Sequence, residues 1–173
     1  MTSDQIMQIF HDTAYVRMGG TQEELKTAEY LRQRVADMGL EASLEAFSVD
    51  MADMEADGLW VDGEAVTCKG YRNAGSGMVE APLYYLRARD PWSLSQCRGK
   101  IVLVDGYMGY WLYQDPLENG AAGFITYDGN ANYEDFDIDQ RELRSYVHKG
   151  NKIPGVNINA KAAIALVNRG AKT

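Results

Sequence analysis

Hydrophobic positions along this chain change period from helical spacing, through short alternating runs, to unbroken apolar runs bounded by glycine. Ile6, Ile9, Phe10, Thr13 and Val16 recur at intervals of three and four, which predicts a helix over 3–16 with Thr2 or Ser3 at its cap. The RMGGT run at 17–21 breaks it. A second helix is predicted from Thr21, where Thr21 and Glu24 spell the T-x-x-E capping box. Its stripe of Leu25, Ala28, Leu31, Val35 and Met38 ends at Gly39, a residue suited to the left-handed stop. A strand is expected at about 41–50, with Leu44, Phe47 and Val49 inward and a bulge near Ala46.

Residues 50–82 hold two short apolar pieces, LWV and AVTCK, between turns rich in glycine and aspartate. NAGSG at 73–77 reads as a hairpin or loop. MVEAPLYYLR at 78–87 reads as a strand that Pro82 confines to an edge or a bend. RDPWSLSQCRG then leads by a turn into GKIVLVDG at 99–106. This run and GAAGFITYDG at 120–129 are almost unbroken β-type apolar segments, with a helix-length segment between them. Apolar runs without alternation suit strands buried on both faces, so the pair predicts a βαβ-like unit inside a core. Asp139 and Glu142 are candidate caps for a helix carrying Leu143, Tyr146 and Val147. IPGVNI at 153–158 predicts a short strand, and Asn159 caps a last helix with Ala163, Ile164 and Val167 before Gly170. The order is α+β with a β-rich body.

The bulk numbers narrow the classes. A chain of 173 residues suits one domain, or a small domain with an appended segment. A net charge of −8 argues against nucleic acid and anionic membranes as partners, since both attract cationic surfaces. No run approaches the roughly 18 apolar residues of a membrane span. The N-terminus carries no basic, apolar export signal, which favours the cytoplasm. Cys68 and Cys97 read as buried free thiols, with a disulfide between them as the alternative in an oxidising compartment.

Catalytic equipment is sparse. There are two histidines; His11 reads as solvated, and His148 as an imidazolium complementing the end of a helix. Asp135, Asp137 and Asp139 have the look of a calcium loop, but Gln140 and Tyr146 stand where glycine and a bidentate glutamate belong. NAGSG is not a nucleophile elbow, because Ala74 replaces its first glycine. No catalytic residue and no metal ligand is therefore assigned. Tyr107, Tyr110, Trp111 and Tyr113, interrupted by Gly109, follow the buried strand at its carboxyl end, where α/β units often place ligand contacts. They are the candidate substrate or partner-binding residues, with packing over the sheet end as the alternative.

These segments carry a resemblance. SGMVEAPLYYL, RGKIVLVDG, NGAAGFITYDG and IPGVNINAKAAIALVNRGA, in that order, resemble a protease-associated (PA) domain. Upstream, Arg17, Gly20-Thr21, Glu23-Glu24, Ala28-Glu29-Tyr30-Leu31, Gly39 and Phe47 are similar to the opening of co-catalytic zinc aminopeptidases of the aminopeptidase Y, aminopeptidase S and glutamate carboxypeptidase kind. In several members of that family a PA domain is inserted after this opening. The resemblance implies a helical segment over 1–50 and a PA domain over 51–170, the latter a β-sandwich or barrel flanked by helices. It places the family's two zinc ions and their ligands in a metal-binding core beyond Thr173, so the chain alone is expected to be inactive.

The expected function is that of a non-catalytic part of a zinc aminopeptidase, a hydrolase acting on peptides, which covers the cleft and shapes substrate access. Its implied partners are a peptide or protein substrate and the remainder of the peptidase. A homo-oligomer formed through exposed helices would also cover their stripes. The alternative is a stand-alone peptide- or protein-binding module using loop 107–113. An independent enzyme built on carboxylates of 134–142 lacks a second partner for them.

Overall fold

The computed structural model describes residues 2–54, 57–128 and 138–172, and the chain divides into two compact units, residues 1–50 and 51–173.

In the first unit, α1 spans Ser3–Thr13 and α2 spans Gln22–Asp37. Thr2 and Gln5 form a complete capping box: the Thr2 hydroxyl accepts from Gln5 N–H at 3.3 Å, and the Gln5 amide oxygen accepts from Thr2 N–H at 2.8 Å. At α2 only half of the expected box forms. The Thr21 hydroxyl accepts from Glu24 N–H at 3.4 Å, but the Glu24 carboxylate accepts from Gly20 N–H instead of Thr21 N–H. The Thr21 amide is already committed to the Met18 carbonyl. Tyr15 and Thr27 share a hydroxyl hydrogen bond of 2.7 Å, and Tyr30 donates to Asp12 at 2.6 Å, so polar contacts link the helices.

The apolar stripes of α1 and α2 are largely open. Thr27 is the one buried residue in these two helices, while Phe10 is 63% exposed. The expected strand at 41–50 is not formed, and Phe47 is 84% exposed. Alternation predicts a strand only where a neighbouring strand pairs the backbone, and none does so here among the described residues.

The second unit is built on a five-stranded sheet with spatial order β3-β7-β6-β5-β4, where β3 is Cys68–Gly70, β4 Leu83–Leu86, β5 Ile101–Val104, β6 Gly123–Asp128 and β7 Gly155–Asn159. β4 through β7 are parallel neighbours, and β3 is antiparallel to β7. The hairpin β1 (Leu59–Val61) and β2 (Glu64–Val66) turns through Asp62 and Gly63, whose φ values of 52° and 82° are those of a left-handed two-residue turn. This corrects the expectation of a closed barrel or sandwich. Among the described residues, strands joined by helical crossovers run parallel in one open sheet, and the hairpin stands as a separate pair.

Because β4 to β7 step one way across the sheet, right-handed crossovers place their linking helices on one face. Those helices are α3 (Pro91–Ser95), α4 (Tyr110–Glu118) and α5 (Ser145–His148). Leu94, Tyr113 and Val147 from them pack with Val102, Val104 and Phe124. The other face, with Leu103, Ile125 and Ile158, is covered by Val61 of the hairpin and by Ala163 and Leu166 of α6 (Ala160–Asn168). Val102, Leu103 and Val104 are each 0% exposed, as an unalternating run requires. Pro82 sits just before edge strand β4, and its carbonyl accepts from Ile101 N–H.

Local capping follows the sequence unevenly. The expected turn at 89–99 contains α3, with Asp90 accepting from Trp92 and Ser93 N–H at 3.0 Å and proline in the first turn. Asn159 caps α6 by accepting from Lys161 N–H at 2.8 Å. Neither Asp139 nor Glu142 caps α5, which begins after Arg144 without a side-chain cap.

Gly155 lies directly opposite Phe124 across the β6–β7 pair, and a Cβ there would stand 2.0 Å from the ring. Phe124 is 2% exposed and held edge-on by Tyr71 and Tyr113, so the ring has no free space to enter. Gly155→Ala is expected to cost about 1–3 kcal/mol or more in urea denaturation. Adding Phe124→Leu should make the combined loss smaller than the sum of the single losses; strict additivity would refute the contact.

Candidate functional site

The chain leaves β5 through Gly106, which takes a left-handed φ of 103°, and enters α4 at Gly109. This short loop carries the candidate aromatic residues, and the structure separates them. Tyr107 is 52% exposed; its hydroxyl donates to the Glu142 carbonyl at 3.2 Å, and the Arg141 guanidinium lies 5.4 Å above its ring. Trp111 is 64% exposed and meets half-buried Tyr110 edge-to-face at 4.9 Å. The Lys149 ammonium stands 4.9 Å over Tyr110.

Tyr113 must be corrected. At 1% exposure it faces the core, where its hydroxyl donates to the Asn151 carbonyl at 2.9 Å and accepts from Ile153 N–H at 3.0 Å. Helical geometry explains the split, since Trp111 and Tyr113 are two residues apart and point in different directions.

Sequence reasoning missed the polar chain beneath this loop. Tyr71 and Thr126 share a 2.9 Å hydrogen bond, Thr126 donates to Asn157 at 2.7 Å, and Asn157 donates to the Asp139 carbonyl at 3.2 Å. Thr126 and Asn157 are 0% exposed, so these bonds satisfy groups that water cannot reach. Arg141 adds a hydrogen bond of 3.2 Å to the Tyr71 hydroxyl. Burial is the main influence raising the Tyr71 phenol pKa, and Arg141 and Thr126 oppose it.

The backbone of the same segment is pinned by Arg72 N–H to the Arg141 carbonyl and by Leu143 N–H to the Arg72 carbonyl, both at 2.8 Å. Asp139 contributes its carbonyl to this network. The remaining acidic positions of that stretch, 135 and 137, lie outside the described residues. A polar residue within an apolar strand, such as Thr126 in FITY, was the available signal.

His148 does not stand as a charged imidazolium at the end of its helix. It is 7% exposed, and its Nδ1 accepts from Gly150 N–H at 2.9 Å, which requires a ring nitrogen without a proton. Burial, followed by the nearby Lys152 charge, lowers its pKa. Cys68 and Cys97 are free thiols, Cys97 in the core; burial and then the Asp57 charge push Cys68 up to about 11, which disfavours the nucleophilic thiolate. Among the described residues no three His, Cys, Asp or Glu side chains come together as a metal-binding group, so these residues do not fit a zinc centre.

No family model matches the chain, and no curated protein matches it. Solved structures do. Over 98% of this chain, its fold is similar to 40% of BSAP, a zinc aminopeptidase from Bacillus subtilis, with TM-score 0.63 and 23% identity. An aminopeptidase from Aneurinibacillus sp. strain AM-1 matches 99% of this chain over 42% of its own, with TM-score 0.57 and 17% identity. A peptidase M28 precursor from Shewanella amazonensis SB2B matches 98% over 44% of its own, with TM-score 0.58 and 11% identity. The chain therefore has the fold of part of these proteins and spans about two fifths of their length.

Two measurements probe the residues described here. Trp111→Ala should change unfolding free energy by no more than about 0.5 kcal/mol. Tyr113→Phe, which strips a hydroxyl from two backbone partners, should cost about 1–3 kcal/mol; equal effects would contradict the inward and outward assignment. For His148, the folded imidazole binds its proton less readily than the unfolded one, whose pKa is about 6.5. Its contribution to stability is complete above that value and is lost as pH falls through the lowered folded value. Melting temperature should drop from pH 7.5 to 5.5, and His148→Gln should flatten that drop.

Proposed function

We propose that this chain is the N-terminal, non-catalytic part of a zinc aminopeptidase. In this reading residues 1–50 are a helical segment that packs on the metal-binding core, and 51–170 are a PA domain that covers the cleft and shapes peptide access. The observation that carries the proposal is the bare condition of α1 and α2. Phe10 at 63%, Leu25 at 46% and Leu31 at 42% exposure leave an apolar stripe on both helices. Fully burying a side chain of this size stabilises by about 1.5–3 kcal/mol, which is large beside a whole domain's net stability. A surface of that kind calls for a covering partner, and the remainder of a longer peptidase supplies one.

The fold likeness supports the same reading, because it extends through both units while covering a minority of each aminopeptidase. Zinc and hydrolysis belong, on this proposal, to the portion of the enzyme that this chain does not span. Exposed Tyr107 and Trp111, with Tyr110 beside them, form the peptide-contacting lip. The same lip would serve a binding module without a peptidase, and that reading would leave the stripes of α1 and α2 to a second copy.

The purified chain supplied with zinc should hydrolyse no aminoacyl-nitroanilide, and calorimetry should show no stoichiometric micromolar zinc binding. Turnover that a chelator abolishes would overturn the non-catalytic assignment. A soluble, monomeric 51–173 fragment alongside a self-associating full chain would support the covered-stripe argument. A monomeric full chain that binds no hydrophobic dye would count against it.

A further inference from the structure

The lip assigned to peptide contact carries a charge as well as rings. From position 144 to position 152 the sequence holds Arg144, Lys149 and Lys152 and no Asp or Glu, in a chain whose net charge is −8. Lys152 is engaged, donating to Asn73 Oδ1 at 2.6 Å. Lys149 is exposed, its ammonium stands over the Tyr110 ring, and no carboxylate among the described residues pairs with it.

Two elements hold this ammonium beside the aromatic pair. Lys149 follows α5 at a left-handed φ of 47°, and its N–H donates to the Ser145 carbonyl at 3.1 Å. Buried His148 braces the turn, its Nδ1 and its carbonyl accepting from the N–H groups of Gly150 and Asn151. α4 is tied to the same stretch, because Tyr113 donates to the Asn151 carbonyl at 2.9 Å and Gln114 donates to the Val147 carbonyl. Trp111, Tyr110 and Lys149 thus form a row, with 4.9 Å between the two ring centres and 4.9 Å from the Tyr110 ring to the ammonium.

We infer that this row takes an acidic peptide, with a Glu or Asp side chain on the Lys149 ammonium and a neighbouring apolar side chain on the Trp111 ring. The inference rests on the peptide-contact reading of the lip and names the class of peptide. A ring face has no net charge, so Tyr110 holds the ammonium without cancelling it. Exposed rings supply apolar contact area to any peptide, and the ammonium then sorts peptides by charge. A cationic peptide is repelled, and a neutral one gains only the rings. A nucleic acid would meet the same ammonium, but the net charge of −8 opposes a long run of phosphates. A peptide with one or two carboxylates meets less of that opposition.

The test follows the indole N–H resonance of Trp111 in the whole chain. The probes are the acetylated, amidated peptide Ala-Glu-Leu-Glu-Ala and its counterparts with Gln or Lys in place of Glu, so side chains alone carry charge. Saturable shifts with a dissociation constant on the order of millimolar are expected for the Glu peptide, because the surface is small and open. The Gln peptide should bind about fivefold more weakly, the worth of an exposed charge pair, and the Lys peptide more weakly still. Lys149→Gln should bring the Glu peptide to the level of the Gln peptide and leave the Gln peptide unchanged. Folded Trp111→Ala, followed by the leucine methyl resonances of the peptide, should weaken both. Equal binding of Glu and Gln peptides would overturn the charge selection while leaving the lip a peptide contact. Absence of any saturable shift would overturn both. The inference also fails if Lys149→Gln keeps the Glu preference, or if oligothymidylate binds more tightly than the Glu peptide.

Discussion

Because β5 is hydrogen-bonded to β4 on one side and β6 on the other, and Val102, Leu103 and Val104 are 0% exposed, the rest of the second unit must be layered above and below it. That constraint settles the architecture. A strand without a wet face needs an apolar cover on each side. Crossovers of one hand put α3, α4 and α5 on the same side, which leaves the other to α6 and the hairpin. Close approach of β6 and β7 then has a local requirement. Phe124 occupies the space where a residue other than glycine at position 155 would project.

The carboxyl end of β5 distributes its residues to opposite layers. Asp105 is exposed, while Gly106 turns the chain so that Tyr107 meets Arg141 and the Glu142 carbonyl. The loop is anchored by Met108, buried in the core, and by a chain of buried polar groups. Tyr71, Thr126 and Asn157 give the 139–143 segment fixed hydrogen-bond partners at the end of the parallel strands. Such networks are stabilising only when every member is satisfied, which makes them sensitive to single changes and able to specify one arrangement. Tyr107 and Trp111 stay exposed beside this hydrogen-bonded segment.

Much of the second unit was legible in the chain. Unbroken apolar runs bounded by glycine located β5 and β6, Pro82 marked an edge, and Asn159 marked the start of α6. What failed did so for identifiable reasons. The 41–50 alternation has no strand beside it among the described residues, and pairing is a tertiary property that alternation cannot reveal. The four aromatics were grouped by proximity in sequence, whereas α4 turns Tyr113 inward and leaves Trp111 out. His148 was read from its place near a helix end, but burial and then the Lys152 charge lower its pKa, and its Nδ1 accepts from the Gly150 amide.

The two units differ in what they can support alone. The second has apolar clusters on both faces of its sheet, with Leu103 and Ile125 on one side and Val102 and Phe124 on the other. The first has two helices of 11 and 16 residues, tied by polar contacts, with Thr27 as their buried residue. Helices shorter than about 12–15 residues are marginal in water by themselves, and most helical stability in proteins comes from packing an apolar face. Ordering each residue costs about 1–2 kcal/mol of backbone entropy, a cost that hydrogen bonds of about 1 kcal/mol net do not offset. Good caps at Thr2 and Thr21 fix where these helices begin, yet they supply no core. The regular spacing of Ile6, Phe10, Leu25 and Leu31 is therefore information about a surface still to be met. On the function proposed above, the remainder of the peptidase meets that surface.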